Sequence, residues 1–501
     1  MKRFKKLLVL LPFVLVIASC EKNFLEINDN PNSPTASTPE LVLPAALANT
    51  GQMVNNNLNI LGNLLTGNWA QAPDYLFYNA QETFQFTPST YQTTWNSIYA
   101  DGLMDYKYVE TQGLASAKPN FVAISKIMQA YNFQLLADTW GDVPFTEAVN
   151  GTAIIAPKYD KAEAVYDGML TLIDGGLASI STAATADKPG ANDIVFAGDM
   201  AKWRRFANTL KLRILLRQSL VSSRSAQVTA GFTALASATF LAAGENAGVN
   251  PGYANQLNKT SPLYGAIGFS VSGAESSNYL ATRGNKFAVD FLNTSTDPRL
   301  PLLYRVAKNN GTYVGVFPGT TATPTTKNAD YSPVGPGILP TLANNGFAKP
   351  AYLISAAESF FLQSEAMLKG YLPGGAAGAA TAYNNGIKES FKLLGSTEAA
   401  ATTFYTASTN PLVNFTVATA ANRAFEAIIT QKWVAQNGIN GAEAWAEFRR
   451  TGFPTGVPIS LNAISGGKYP LRIPYVQSEL ASNASNVPTI DIFSTKIFWE
   501  K

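Results

Sequence analysis

The stretch AYLISAAESFFLQSEAMLKGYLPGGAAGAATAYNNGIKESFKLL, residues 351–394, decides the fold class. Its apolar positions fall at Ala356/Ala357, Phe360/Phe361 and Met367/Leu368, then, beyond Pro373-Gly374-Gly375, at Tyr383, Ile387, Phe391 and Leu394. That is the i, i+3, i+4 spacing of helices with one buried face, and it predicts one helix over about 351–371 and a second after the glycines. So short a turn cannot span anything longer than two helices lying antiparallel. The unit is an αα-hairpin.

Working outward, the same spacing recurs. Phe121, Ile124, Ile127/Met128, Tyr131 and Leu135 predict a helix that Gly141 and Pro144 stop. Met200, Trp203, Phe206/Ala207, Leu210 and Ile214 predict another, packed by the Trp203 stripe, with Lys202, Arg204, Arg205, Lys211 and Arg213 over the rest of its surface. A further pair runs from Ala421 through Phe425, Ile428/Ile429 and Trp433, breaks at Asn437-Gly438, and resumes from Gly441 to Arg450. The hairpins recur without a fixed period, so no regular 34-residue solenoid is expected. Between them, residues 244–278, 307–349 and 455–468 are rich in Gly, Asn, Thr, Ser and Pro and too long for plain connections. They are loop excursions, where binding residues concentrate.

Composition removes several classes of chemistry. There is no histidine among the 501 residues, which excludes Ser-His-Asp and Cys-His catalysis and any histidine-based zinc site. A glycosidase would instead need two carboxylates about 5–9 Å apart across a cleft, and spacing singles out no such pair. Cys20 is the sole cysteine, so no internal disulfide forms. A net charge of +3 gives no ground for a nucleic-acid partner. No calcium loop of alternating Asp residues is present, and no metal or cofactor is expected.

The N-terminus carries a basic start (Lys2, Arg3, Lys5, Lys6), an apolar run from Leu7 to Ala18, and Ile17-Ala18-Ser19-Cys20. The run is shorter than the roughly 20 residues that span a bilayer, and small residues precede the cysteine, as in an export signal. This predicts a leader at 1–19 removed from the mature protein. Cys20 resembles the lipidated cysteine of a bacterial lipoprotein. Residues 28–39, rich in Asn, Pro, Ser and Thr, cannot bury enough apolar surface to fold alone. Residues 20–40 are expected to act as a tether, and 41–501 as a single domain.

Several segments together resemble the SusD/RagB family, in its SusD-like branch. They are Trp140-Gly141-Asp142-Val143-Pro144 at a helix end, Gly198-Asp199 followed by Lys202-Trp203 and Ala207-Asn208-Thr209-Leu210-Lys211-Leu212-Arg213, Asp297-Pro298-Arg299-Leu300, Gln431-Lys432-Trp433, Glu443-Ala444-Trp445 with Arg449-Arg450-Thr451-Gly452, and Arg472-Ile473-Pro474-Tyr475 leading to Glu479 and Asn483. They stand in family order across nearly the whole chain. The resemblance implies a mainly α fold of tetratricopeptide-like helical hairpins with long loop excursions and minor β. It also implies a cell-surface lipoprotein of the outer membrane, acting as lid and capture subunit for a TonB-dependent, SusC-like transporter. The cargo implied is an oligosaccharide, with peptide as the alternative, and no catalysis.

The signature motifs read as architecture. In Trp140-Gly141-Asp142 the glycine suits a helix-ending conformation and the aspartate can satisfy free backbone donors. Trp203, Trp433 and Trp445 lie on helical stripes, and Arg449-Arg450 sit where cations favour a helix C-terminus. The ligand surface is expected instead from aromatics off those stripes. Residues 69–79, WAQAPDYLFYN, combine four rings, two amides and a carboxylate. They nominate Trp69, Asp74, Tyr75, Tyr78 and Asn79 as ligand-binding. Tyr264, Tyr279 and Arg283, in or beside the long middle loop, form a second group.

Overall fold

The computed structural model describes residues 37–181 and 187–501. The leader at 1–19, the lipidation position Cys20 and the tether up to residue 36 lie outside the described residues. The helices that matter here are α1 (Pro39–Asn55), α2 (Asn57–Leu65), α3 (Met104–Ala115), α4 (Pro119–Trp140), α5 (Ala162–Ser179), α6 (Met200–Gln218), α7 (Ala356–Leu368), α8 (Gly375–Leu393), α9 (Ala424–Gln436) and α10 (Gly441–Thr451). Among the described residues the strands form two antiparallel ribbons, β1 (Trp69–Gln71) with β3 (Thr282–Gly284) and β2 (Ala247–Val249) with β4 (Ala351–Ile354). The fold is mainly α, as expected, and Pro39–Lys501 forms one compact unit. No helix among the described residues is long and apolar enough to cross a membrane.

The hairpin at 351–394 is present, with one difference. Residues 351–354 are strand β4, and α7 starts only after Ser355, whose hydroxyl accepts from Glu358 N at 3.1 Å. Ser355-x-x-Glu358 is a helix-start signature, and Tyr352, Leu353 and Ile354 before it favour a strand. α7 then packs along α8, with the Phe361 ring so close to Gly386 that a Cβ there would stand 2.8 Å from it. α3 with α4 and α4 with α5 form further antiparallel pairs. Asp142 starts α5, accepting from Ala162 N at 2.9 Å, while Gly141 ends α4 at φ 85° with Arg472 packed over it.

The last helix pair packs differently from a simple hairpin. α10 lies mainly against α2, where a Cβ on Gly62 would fall 1.9 Å from the Gly441 carbonyl oxygen. The two backbones touch. Asparagines of α2 hold the turn between α9 and α10: Asn59 accepts from Gly441 N at 2.7 Å and donates to Gly438 O at 3.0 Å, and Asn63 accepts from Gly438 N at 3.0 Å.

Helix α6 overturns an expectation. Asp199 caps it through Ala201 N and Lys202 N, both at 3.0 Å, and Trp203 faces the core, as read. Yet Lys211, Arg213 and Arg217 are buried too, because neighbours cover α6 on all sides from Phe206 to Gln218. A buried cation needs a partner, and carboxylates from other helices supply them. Arg213 meets Glu358 at 3.0 Å, Arg217 meets Glu443 and Glu447, and Lys432 meets Glu443 at 2.9 Å. Arg450 forks onto Glu365 at 2.8 and 2.7 Å and onto Glu447 at 3.0 and 2.7 Å. Arg449 pairs with Glu500 at 2.9 Å and donates to Asp138 O at 2.6 Å. The Arg449-Arg450 pair is therefore consumed internally by carboxylates. This network ties α4, α6, α7, α9 and α10 together.

Candidate functional site

The two stretches nominated for ligand binding, nearly 200 residues apart, are brought together by a three-residue ribbon. β1 pairs with β3 in the register Trp69↔Gly284, Ala70↔Arg283, Gln71↔Thr282. The Tyr78 hydroxyl meets the Thr282 hydroxyl at 2.7 Å. Asp74 accepts from Asn328 N at 2.9 Å, and Arg283 Nε donates to Asn328 O at 2.8 Å, so the 307–349 excursion joins the same corner. Glu82 fastens the third loop, accepting from Gln71 N and Ser460 Oγ, both at 3.1 Å. Burial raises its carboxyl pKa despite those bonds. All three long loops thus converge on one region.

Within it, five of the eight nominated residues are interior side chains. Trp69 is 0% exposed and donates through Nε1 to Asn437 Oδ1 at 3.2 Å. Tyr78, Tyr264 and Tyr279 are buried, and burial raises each phenol's pKa. Arg283 is buried, donating to the carbonyls of Tyr279 at 2.9 Å and Thr282 at 2.8 Å, and desolvation lowers its pKa. Arg305 holds this corner from behind, donating to the Tyr279 hydroxyl at 3.0 Å and to Leu339 O at 2.8 Å. The structure brings the two nominated groups into one corner, but most of their buried rings and the arginine have polar atoms taken by the frame. Asp74 and Asn79 are exposed, and Tyr75 is half-buried.

The surface in front of that frame carries a cleft of about 410 Å³. Phe77, Tyr78 and Tyr91 supply rings to its wall, and Asn57, Gln81 and Asn278 supply amides. Phe77 is 53% exposed and braced edge-on by Tyr78, with centroids 4.9 Å apart and planes at 76°. Gln81 is set by donating to the Tyr91 hydroxyl at 2.7 Å, and Asn278 by donating to Ala266 O at 2.8 Å. A second cleft of about 500 Å³ adjoins it, sharing Asn56, Gly265 and Ala266 as a common wall, with Phe269 and Leu257 beyond. A braced, half-exposed ring beside fixed carboxamides can hold a flat, hydroxyl-rich molecule, because each amide both donates and accepts.

Sequence reasoning missed Asn56, Asn57, Phe77, Gln81, Tyr91 and Asn278. A signal existed for some of them: Asn55-Asn56-Asn57 is a run of three amides at the α1–α2 junction, and Phe77 stands inside the nominated window. Nothing local marked Tyr91.

A family model, SusD-like, described as "Starch-binding associating with outer membrane", matches residues 31–476. Among solved structures, a chitin-binding protein is 23% identical with a TM-score of 0.75, covering 92% of this chain and 100% of its own. A SusD homolog from Bacteroides fragilis is 20% identical with a TM-score of 0.75, covering 93% and 100%. A chitin-binding SusD homolog from Flavobacterium johnsoniae is 23% identical with a TM-score of 0.71, covering 92% and 98%. At these identities the likeness is one of fold. No curated protein sequence matches the chain.

Proposed function

Because the chain belongs to the SusD-like family, we propose that it is a cell-surface glycan-binding lipoprotein that captures oligosaccharide for uptake and catalyses no reaction itself. The observation that carries this reading is the half-exposed Phe77 ring, braced by Tyr78 at the mouth of a cleft walled by fixed amides. Asp74, Tyr75 and Asn79 flank it and extend the contact surface. Two of the structurally similar proteins are described as chitin-binding, which supports a saccharide over a peptide. Anchoring is through lipid on Cys20, where more than one acyl chain makes attachment stable at about 0.8 kcal/mol per buried methylene.

The partner in this reading is a TonB-dependent, SusC-like transporter over which the protein acts as a lid. Mild detergent extraction of native membranes tests it. Recovery of a β-barrel transporter in stable stoichiometry with the protein is expected, and recovery of the protein alone would overturn the lid. Labelling with radioactive palmitate tests the anchor: label lost in Cys20→Ala is expected, and label retained would refute it.

A further inference from the structure

None of the side chains lining the two adjoining clefts is charged, in a chain whose residues are 14% charged. Carboxamides take their place. Gln52, Gln256 and Asn258 line one cleft, Asn57, Gln81 and Asn278 the other, and Asn56 stands on the shared wall. The nearest charges in sequence are kept out of both linings. Glu82 is buried and turned onto Gln71 and Ser460, Asp74 beside Phe77 lines neither cleft and is turned onto Asn328 N, and Lys259 and Glu275 have opposite signs and line neither cleft. The contrast with a third cleft, of about 610 Å³, is direct: Asp193, Lys202 and Glu245 all line that one.

An ionised group entering an uncharged cleft gives up hydration without gaining a counter-charge, which is unfavourable. A hydroxyl or acetamido group loses nothing comparable, because carboxamides replace its water hydrogen bonds in both directions. Of the three residues the two clefts share, Asn56, Gly265 and Ala266, the last two carry no more than a methyl group. We infer that the ligand is an uncharged saccharide chain, long enough to cross Gly265-Ala266 and occupy both clefts. This rests on the glycan reading and narrows it: acidic, sulfated and amino-bearing glycans are excluded as the preferred cargo.

The test is calorimetric titration of the chain begun after Cys20, using neutral gluco-, manno-, xylo- and N-acetylated chito-oligosaccharides. Oligogalacturonates and deacetylated chito-oligosaccharides serve as charged counterparts. A neutral series is expected to bind, with Kd changing by less than about twofold between roughly 50 and 500 mM salt, because screening acts on charge–charge attraction alone. Its hexasaccharide is expected to bind at least about tenfold more tightly than its disaccharide. Gln256→Ala and Gln81→Ala should each weaken the hexasaccharide, whereas only one of them weakens the disaccharide. Tightest binding to a charged series with steep salt dependence, or affinity that does not grow with length, would overturn the inference while leaving glycan capture standing. No binding to any saccharide would remove the glycan reading beneath it.

Discussion

Replacing Arg450 by methionine isolates what the buried charge network contributes. Arg450 is 0% exposed, and its guanidinium makes four bonds of 2.7–3.0 Å to Glu365 and Glu447 and one of 3.2 Å to Leu216 O. Methionine keeps most of the stem and removes the charge. Glu447 keeps Arg217 at 2.5 Å and Lys432 at 3.6 Å, but Glu365 is left with Lys369 at 3.5 Å, so Glu365 becomes the poorly compensated group. Breaking a buried pair from one side costs about 3–5 kcal/mol. For a unit the size of Pro39–Lys501, an unfolding entropy of about 2.1 cal/mol/K per residue makes 1 kcal/mol worth roughly 1 °C in Tm. The expected drop is therefore about 3–5 °C, read by far-UV circular dichroism or calorimetry. Adding Glu365→Met removes the stranded carboxylate, so the double variant should be less destabilised than the sum of the singles by about 0.5–3 kcal/mol. An unchanged Tm for Arg450→Met, or strict additivity in the double variant, would refute this account of the network.

Three further outcomes follow from the same geometry. Phe77→Ala should weaken saccharide binding by about 2- to 12-fold, from a ring contact worth roughly 0.5–1.5 kcal/mol, while leaving Tm unchanged because the ring is 53% exposed; an unaltered Kd would take Phe77 out of the site. Gly62→Ala drives a methyl onto the Gly441 carbonyl, which lies 1.9 Å from the Cβ position, so a loss of about 3 kcal/mol or more is expected, and wild-type thermal stability would contradict the backbone contact. Arg450, Lys432 and Arg217 outweigh burial and hold the Glu447 carboxyl below its ordinary 4.5. Its contribution to stability is accordingly present above about pH 4.5 and lost as pH falls below that, so Glu447→Gln should flatten the acid limb of a stability–pH curve, and an unchanged acid slope would count against it.

The helices were legible because their signals are local. Phe121 to Leu135 and Met200 to Ile214 carry the period, and Gly141 and Asp199 mark ends that the chain uses. Boundaries failed where a local signal was read too smoothly: Ser355-x-x-Glu358 starts α7, yet apolar residues 351–354 blur into the helical stripe when only the period is followed. The charges of α6 were misjudged for a different reason. Arg213 looks like part of a solvated face until Glu358 and Glu443, more than 140 residues away, are known to cover it.

The candidate site shows the same division. Residues 69–79 were picked out by composition; Phe77 and Tyr78 of that window line the cleft, while Trp69 to Gln71 pair with Thr282 to Gly284 and line none of it. What composition could not reveal is which rings turn inward. Trp69 and Tyr78 turn inward because Asn437 accepts the Trp69 indole N–H and the Thr282 hydroxyl meets that of Tyr78, and those partners lie over 200 residues along the chain. Phe77 has no polar atom to satisfy, and it is the ring left half outside.

The most direct test of the account is isothermal titration of the chain begun after Cys20 with a panel of oligosaccharides and peptides, with product analysis of each mixture. Saturable binding of an oligosaccharide, weakened by Phe77→Ala and accompanied by no cleavage, is the predicted result. Binding confined to peptides, or release of shortened sugars, would contradict glycan capture by a non-catalytic surface protein.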